Sequence, residues 1–466
     1  MASFYVENFG CRATQADGAA IERQFTERGL ERAAAARQAE IVVLNTCTVT
    51  SSADQDARAA IRRIRRENPG AQILVTGCYA QRAPEEVAAL PGVTWVVGNS
   101  HKHEIADVAA LNVSDSAPPA FVPIDSLTTD DRRPTTNGQR LFVGDIFAHT
   151  ELLAAPVFEA ANDRTRPNLK VQDGCDNRCS FCVIPYVRGQ SRSLGLDEVL
   201  REVNGLVEAG YREVVISGIN LGRWGRDLTV VRRQSSGVTD TGQRLRLSNL
   251  VRAILDETAL EKLRISSVEP MDWSDELIRL VAECPRIAKH AHVPMQSGSD
   301  RMLRAMHRKY RPWHYREKII KIRAAIPEAA IGADVMVAFP GESDADFEET
   351  RCTIEELPLT YLHVFTYSAR PGTPAATMPR QVPVKTARER SRILRELAAS
   401  KKLAFMTSFA GKTVQAITLN VFDGEYTEAL TDNYLKLRLR GRHEANQWVM
   451  ARVEQVSSGA LLGSQP

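Results

Sequence analysis

The chain has 466 residues, 43% of them apolar and 25% charged, with a formal net charge of +3. That is the composition of a globular protein too long for one ordinary core, and its length predicts about three domains. So small a net charge neither demands nor excludes a nucleic-acid partner. No stretch approaches the ~20 apolar residues of a membrane span, and the opening Met-Ala-Ser-Phe-Tyr-Val-Glu lacks the basic and apolar regions of a signal peptide. The expected setting is the cytoplasm, with no membrane partner. Eight Cys in such a chain suit metal binding in a reducing compartment better than disulfides.

Residues 3–9, 41–45 and 72–76 read as short strands, each followed by a stretch of helical periodicity. This alternation predicts a parallel sheet flanked by helices. Cys11, Cys47 and Cys78 each stand just past the end of one of these strands. In an open parallel sheet such loops share one edge, where ligand sites gather, so residues more than thirty apart in sequence converge. One Cys so placed reads as a small core residue. The same placement three times predicts a cluster held by three thiolates.

Residues 112–165 lack sustained periodicity, carry Pro118-Pro119, Thr128-Thr129 and Arg133-Pro134, and read as a linker. Beyond them comes Cys175, Cys179 and Cys182, a Cys-x-x-x-Cys-x-x-Cys triplet with Phe181 before its last Cys. A four-iron cluster takes four thiolates, so a set of three leaves one iron open to a substrate or cofactor. The zinc reading needs a fourth ligand nearby, yet no His lies between His149 and His290, and the next Cys is Cys284. Cys284 and Cys352, in helical stretches without partner spacing, read as structural.

Strand-like runs recur near 168–172, 213–217, 263–267, 289–293, 331–337 and 361–366. Six βα units predict an open partial barrel with its active site at the carboxyl ends of the strands. The triplet follows the first strand, Gly218 and Asn220 the second, Glu269 the third, and Gln296 with Ser297 the fourth. These polar residues are candidates for cofactor binding, although any of them, as Ser297-Gly298-Ser299-Asp300 illustrates, could instead cap a helix or fix a turn. Residues 223–246, rich in Arg, Gly, Ser and Thr, read as an inserted loop.

After a charged helix over about 384–404, short alternating strands around Gly411, Gly424, Gly441 and Gly459 predict a small β-barrel. The run Tyr434-Leu-Lys-Leu-Arg-Leu-Arg440 alternates strictly. A strand there buries its Leu residues and presents Lys436, Arg438 and Arg440 on one face, which suits a phosphate backbone or an ordinary solvated surface.

The triplet with its Phe resembles the signature of the radical S-adenosylmethionine enzymes. In that family three thiolates hold three irons of a 4Fe-4S cluster and the fourth iron chelates the methionine half of S-adenosylmethionine, whose cleavage yields a hydrogen-abstracting 5′-deoxyadenosyl radical. Gly10-Cys11, Asn45-Thr46-Cys47-Thr48-Val49 and Gly77-Cys78-Tyr79-Ala80-Gln81 ahead of it resemble the N-terminal domain of the methylthiotransferases, whose auxiliary cluster carries the donated sulfur. After Cys11 this chain has Thr14 where the family usually has Asn. The C-terminal segment resembles the TRAM domain, an RNA-binding barrel. The resemblance covers nearly the whole chain and implies a methylthiotransferase cluster domain over 1–111, the linker over 112–165, a radical domain over 166–399 and a TRAM-like barrel over 400–466.

The resemblance further implies two 4Fe-4S clusters, one on Cys11, Cys47 and Cys78 and one on Cys175, Cys179 and Cys182, with S-adenosylmethionine near Gly218, Asn220, Glu269 and Gln296. Its partners would be the tRNA anticodon stem-loop, a sulfur donor, and an electron donor such as flavodoxin or ferredoxin. Gly77–Gln81, His292–Asp300 and His363–Ala375 are most like the branch acting on N6-threonylcarbamoyladenosine. Sister branches act on isopentenyl-adenosine in tRNA or on an aspartate of a ribosomal protein. A rival of another class is an iron-sulfur RNA-binding protein that senses redox state without turnover. A radical methylating enzyme would leave the N-terminal Cys set without a task.

Overall fold

The computed structural model describes residues 2–110, 132–134, 140–149, 152, 165–234, 237–457 and 459–465. The chain forms two compact units, one of residues 1–157, 173–177 and 182–192, the other of 158–172, 178–181 and 193–466.

The first unit is built on seven strands, β1 (Ser3–Asn8), β2 (Glu31–Arg32), β3 (Ile41–Thr46), β4 (Gln72–Gly77), β5 (Val93–Val97), β6 (Arg132–Pro134) and β7 (Arg140–Phe142). Their order is β2-β1-β3-β4-β5-β7-β6, parallel throughout except for β6. Alternate residues serve the two faces. Val42 and Leu44 pack with Ala57, Ile61 and Ile64 of the helix Ser51–Glu67, whereas Ile41 and Val43 pack with Ile21 and Phe25 of the helix Arg12–Glu27 and with Ile105 and Ala109. A sheet covered on both sides reads as near-continuous apolar runs, which is why Ile-Val-Val-Leu signalled β3. Strands β6 and β7 lie within the stretch expected as a linker. Phe142 is buried in the sheet's core, a short contribution that periodicity over three residues could not reveal. Pro118-Pro119 and Thr128-Thr129 lie outside the described residues.

The second unit carries β8 (Asn168–Asp173), β9 (Arg192–Ser193), β10 (Glu213–Gly218), β11 (Thr229–Gln234), β12 (Gly237–Arg244), β13 (Lys262–Ile265), β14 (His290–His292), β15 (Ala330–Val337) and β16 (Tyr361–Thr366). Strands β8, β10 and β13 are parallel, as are β14, β15 and β16. Parallel bridges Leu263↔Ile287 and Ser267↔His292 link the two sets. The six expected strands thus follow one another in chain order as an open partial barrel. The expected loop at 223–246 is instead partly an antiparallel ribbon, β11 with β12. The β-branched runs Thr229-Val230-Val231 and Val238-Thr239 favour extended pairing, a signal masked by the surrounding Arg, Gly and Ser.

The helix Val384–Thr407 lies against β16 and leads to β17 (Thr413–Phe422), β18 (Tyr426–Thr431), β19 (Lys436–Arg440), β20 (Trp448–Ser457) and β21 (Ala460–Ser464). They close as β17-β18-β19-β21-β20 around Ala416, Ala429, Leu437, Leu439, Ala451 and Leu461. The turn after β18 docks on the sheet formed by β10 and β13. Arg264 donates to the carbonyls of Asp432 and Thr431 at 3.1 and 3.3 Å while pairing with buried Glu213 at 2.7 Å, and the Tyr434 ring lies 4.7 Å from that of His290. Among the described residues no helix is long and apolar enough to cross a membrane.

Candidate active site

The sheet order of the first unit makes the site legible. The chain runs from β1 outward to β2, then returns past β1 to β3, so the strand order reverses between β1 and β3 and opens a crevice at their carboxyl ends. Register keeps those ends level, with Asn8 opposite Asn45 and Asn45 opposite Thr76. Cys11 and Cys47 leave either side of the crevice and Cys78 follows β4. Cys11 is the N-cap of the helix Arg12–Glu27 and Cys78 opens the helix Cys78–Arg82. Cys47 and Cys78 are buried and Cys11 is exposed. Gly10, at φ +95°, passes so close to Cys47 that a Cβ on it would lie 2.5 Å from that residue's own Cβ. Only glycine combines that φ with that approach.

The three sulfurs act on one another. Burial, then Cys78, with a smaller contribution from Cys11, pushes the Cys47 thiol up to about 12, against the lowering by the Val49 backbone and Arg188. Thiolates that repel one another in this way would be stabilised by a cation among them, which is what iron would supply. The donor set therefore fits a cluster better than three free thiols.

Around this trio lies a buried ionic chain. Arg188 donates to Asp17 at 2.8 Å and to both oxygens of Asp173 at 3.0 Å, and Lys102 reaches Asp17 at 3.0 Å. Burial opposes the charge of Arg188, but the two carboxylates and then the Cys78 and Cys11 sulfurs hold it well above the usual guanidinium value. Asn99 donates to the Val187 carbonyl at 2.7 Å and approaches the Cys78 sulfur at 3.6 Å. Thr14 meets the Cys11 sulfur through its hydroxyl at 3.5 Å. Where the family usually has Asn, a side chain able to hydrogen-bond Cys11 is thus retained. Asn45 donates to Asn8 at 2.9 Å and to the Thr14 carbonyl at 2.7 Å.

The Cys triplet occupies the loop after β8, and all three residues are half-buried. The Cys175 amide donates to the Gly189 carbonyl at 3.0 Å. Next to Cys182, Val183 packs with Val187 and Cys78. Arg308 donates to the Cys179 sulfur at 3.1 Å and also to Glu269. Ser180 is fixed through its amide to the Met306 carbonyl and through its hydroxyl to that of Ala305.

Glu269 therefore stands one residue from Cys179, with Arg308 between them. Gln296, half-buried at φ +63°, accepts from the Met336 amide at 2.9 Å. The Asn220 amide donates to the Gln172 side chain at 2.7 Å. Gly218 passes the same glutamine so closely that a Cβ there would lie 2.8 Å from its Oε1. Ser299 holds the N-cap position of the helix Asp300–Ala305 without capping it; its hydroxyl donates to Asp346 at 2.8 Å instead. Cys284 ends the helix Asp275–Glu283, and Cys352 lies within the helix Asp344–Glu356. On β19 the expected alternation holds, with Leu437 and Leu439 in the barrel core. Lys436 pairs with Glu428 at 2.7 Å and Arg438 with Asp423, while Arg440 is exposed. Sequence reading missed Arg188, Asn99, Gln172 and Arg308. Only Arg308 had a visible signal, the polar run His307-Arg308-Lys309 just after a short helix.

Two family models match the chain, Uncharacterized protein family UPF0004 over residues 3–98 and the Radical SAM superfamily over 169–351. The chain is 35% identical over 450 residues to the threonylcarbamoyladenosine tRNA methylthiotransferase MtaB of Bacillus subtilis, covering 95% of this chain and 92% of that one. The chain belongs to the radical S-adenosylmethionine tRNA methylthiotransferases. A further relative, the tRNA-2-methylthio-N(6)-dimethylallyladenosine synthase of Novosphingobium aromaticivorans, is 33% identical over 417 residues, 89% of this chain and 86% of that one. Among solved structures, the radical S-adenosylmethionine methyltransferase TsrM of Kitasatospora setae matches in fold at a TM-score of 0.55 and 16% identity, over 80% of this chain and 75% of that one. Radical chemistry with an iron-sulfur cluster and S-adenosylmethionine, acting in tRNA modification, follows from membership in this family.

Proposed function

We propose that this methylthiotransferase modifies carbon 2 of N6-threonylcarbamoyladenosine at position 37 of tRNA, using two S-adenosylmethionine molecules and two 4Fe-4S clusters. Cys11, Cys47 and Cys78 would hold one cluster and Cys175, Cys179 and Cys182 the other, three thiolates each, so that one iron of each stays open. When bound, the second cluster supplies the electron that cleaves S-adenosylmethionine, and the first carries the sulfur to be transferred.

The protein's own residues position and insulate. Arg188 balances the negative charge of the sulfurs of Cys78 and Cys11, and Thr14 and Asn99 orient Cys11 and Cys78. Arg308 ties Cys179 to Glu269, which with Gly218, Asn220 and Gln296 would line the S-adenosylmethionine site. Lys436, Arg438 and Arg440 would meet the tRNA, since exposed ion pairs such as those to Glu428 and Asp423 are weak enough to exchange for phosphate. The anticodon stem-loop, an electron donor such as flavodoxin or ferredoxin, and a sulfur donor would be the partners, in the cytoplasm. Residues 1–111, 166–399 and 400–466 would divide these tasks as cluster, radical and RNA-binding domains.

The convergence of three strand-end sulfurs in a chain so like the threonylcarbamoyladenosine relative carries this reading. Its test is mass spectrometry of tRNA nucleosides from cells lacking the protein. Loss of the methylthio form of threonylcarbamoyladenosine is expected; loss of the isopentenyl-adenosine form instead would assign the sister branch. In vitro, Cys175→Ala should abolish 5′-deoxyadenosine, whereas Cys47→Ala should keep its formation and lose the methylthiolated product. Product from the Cys47 variant would sink the assignment of the first cluster.

A further inference from the structure

Two of the motifs that pointed to the threonylcarbamoyladenosine branch begin at His292 and His363, and neither histidine has a part in the chemistry above. They lie on β14 and β16, on either side of β15. Because side chains alternate along strands, His290 and His292, Gly332 and Asp334, and Tyr361 and His363 all share one face of these three strands. The opposite face, with Ala291, Ile331, Ala333, Val335 and Val364, is apolar and buried.

On the polar face, His292 Nε2 lies 3.0 Å and His363 Nδ1 3.2 Å from the same Asp334 oxygen. The three donor atoms all fall within 4.8 Å of one another. We propose that His292, Asp334 and His363 form a binding site for a first-row divalent cation, separate from both Cys sets. Donors about 2.1 Å from one metal ion stand ~3.0–3.4 Å apart at octahedral or tetrahedral angles, which is the spacing of both histidines from Asp334. Two imidazoles and one carboxylate on one side of an ion suit iron(II), zinc or manganese and leave positions open for water or an anionic oxygen.

The surroundings prepare His292 for this role. Its Nδ1 lies 3.0 Å from the Tyr361 hydroxyl, which lies 2.7 Å from His290 Nε2. One consistent set of protons has His292 Nδ1–H donate to Tyr361 and Tyr361 donate to His290, leaving Nε2 of His292 with its lone pair toward Asp334. Such an outer partner fixes the tautomer and orientation of a metal-bound histidine. The tyrosine ring is itself given room by Gly332, where a Cβ would lie 2.0 Å from its Cζ. His363 is half-exposed on the last strand of the open sheet, so an ion has a way in.

The test uses the full cluster-loaded chain, equilibrated with Zn²⁺, desalted, and measured for zinc and iron by plasma emission, with zinc-edge absorption to identify the ligands. About one zinc per chain bound through nitrogen and oxygen only is expected. His363→Ala should lose that zinc and keep its iron, and Tyr361→Phe should bind zinc about 10- to 100-fold more weakly. No retained zinc, equal zinc in His363→Ala, or sulfur in the zinc shell overturns the proposal. Should His363→Ala also lose its iron, His363→Gln, which keeps a polar side chain at this exposed position, is read by the same criteria.

Discussion

Arg188 offers the sharpest test of how the first unit holds its sulfurs. The side chains of Asp17, Lys102, Arg188 and Asp173 are all less than a tenth exposed, so none can turn to water when a partner is removed. Arg188→Met takes from Asp173 its two contacts at 3.0 Å and from Asp17 its contact at 2.8 Å, while the Gly174 amide on Asp173 at 2.8 Å and Lys102 on Asp17 at 3.0 Å remain. Breaking a buried ion pair from one side costs about 3–5 kcal/mol, and the surviving Lys102 contact argues for the lower half of that range. At about 1.4 kcal/mol per factor of ten, the cost corresponds to hydrogen exchange in β3 and β4 faster by about two to three orders of magnitude, where exchange proceeds through opening of the whole unit. Exchange followed by mass spectrometry on the cluster-loaded protein reads this directly. Arg188→Lys keeps the charge but cannot span both carboxylates with one fork, and should fall between wild type and Arg188→Met. Adding Asp173→Asn to Arg188→Met should recover part of the loss, because the buried charge that Arg188 balanced is then gone. Less than a tenfold change in Arg188→Met would refute the view that this chain of charges holds the unit together.

Gly10→Ala meets both a forbidden φ and the Cys47 side chain, so iron should fall from about eight to about four per chain, with 5′-deoxyadenosine formation retained; an unchanged iron count would contradict the packing argument. His149 is held neutral, its pKa lowered to about 4 by burial and then by Arg192 and His103. The unfolded chain takes up that proton near pH 6.5 and the folded one does not, so stability of the first unit should rise with pH between about 4 and 6.5. His149→Gln should flatten that part of the curve, measured as proteolysis rate against pH. Joint replacement of Lys436, Arg438 and Arg440 by Ala should lower the salt dependence of tRNA binding by a slope of about 2 to 3; an unchanged slope would remove these residues from the interface.

Much of the fold was present in local pattern. Runs such as Ile-Val-Val-Leu at β3 and the strict alternation over β19 mark strands because burial on two faces, or on one, imposes a distinct period on the side chains. The β6–β7 pair and the β11–β12 ribbon escaped notice, since strands of three residues, or strands interrupted by Arg, Gly and Asp, carry no period strong enough to separate them from loops. At Ser299 the local signal pointed to a cap, but Asp346, forty-seven residues later, offered its hydroxyl a charged acceptor.

By itself the sequence determined the spacing of the Cys residues, the strand ends they follow and the order of the domains, because these depend on neighbours along the chain. Which residues surround those sulfurs was decided by the tertiary structure. Arg188 meets Asp17 across 171 positions, and Arg308 meets Cys179 across 129. A charge can be buried only where folding delivers its counter-charge, and no local pattern records where that partner will come from.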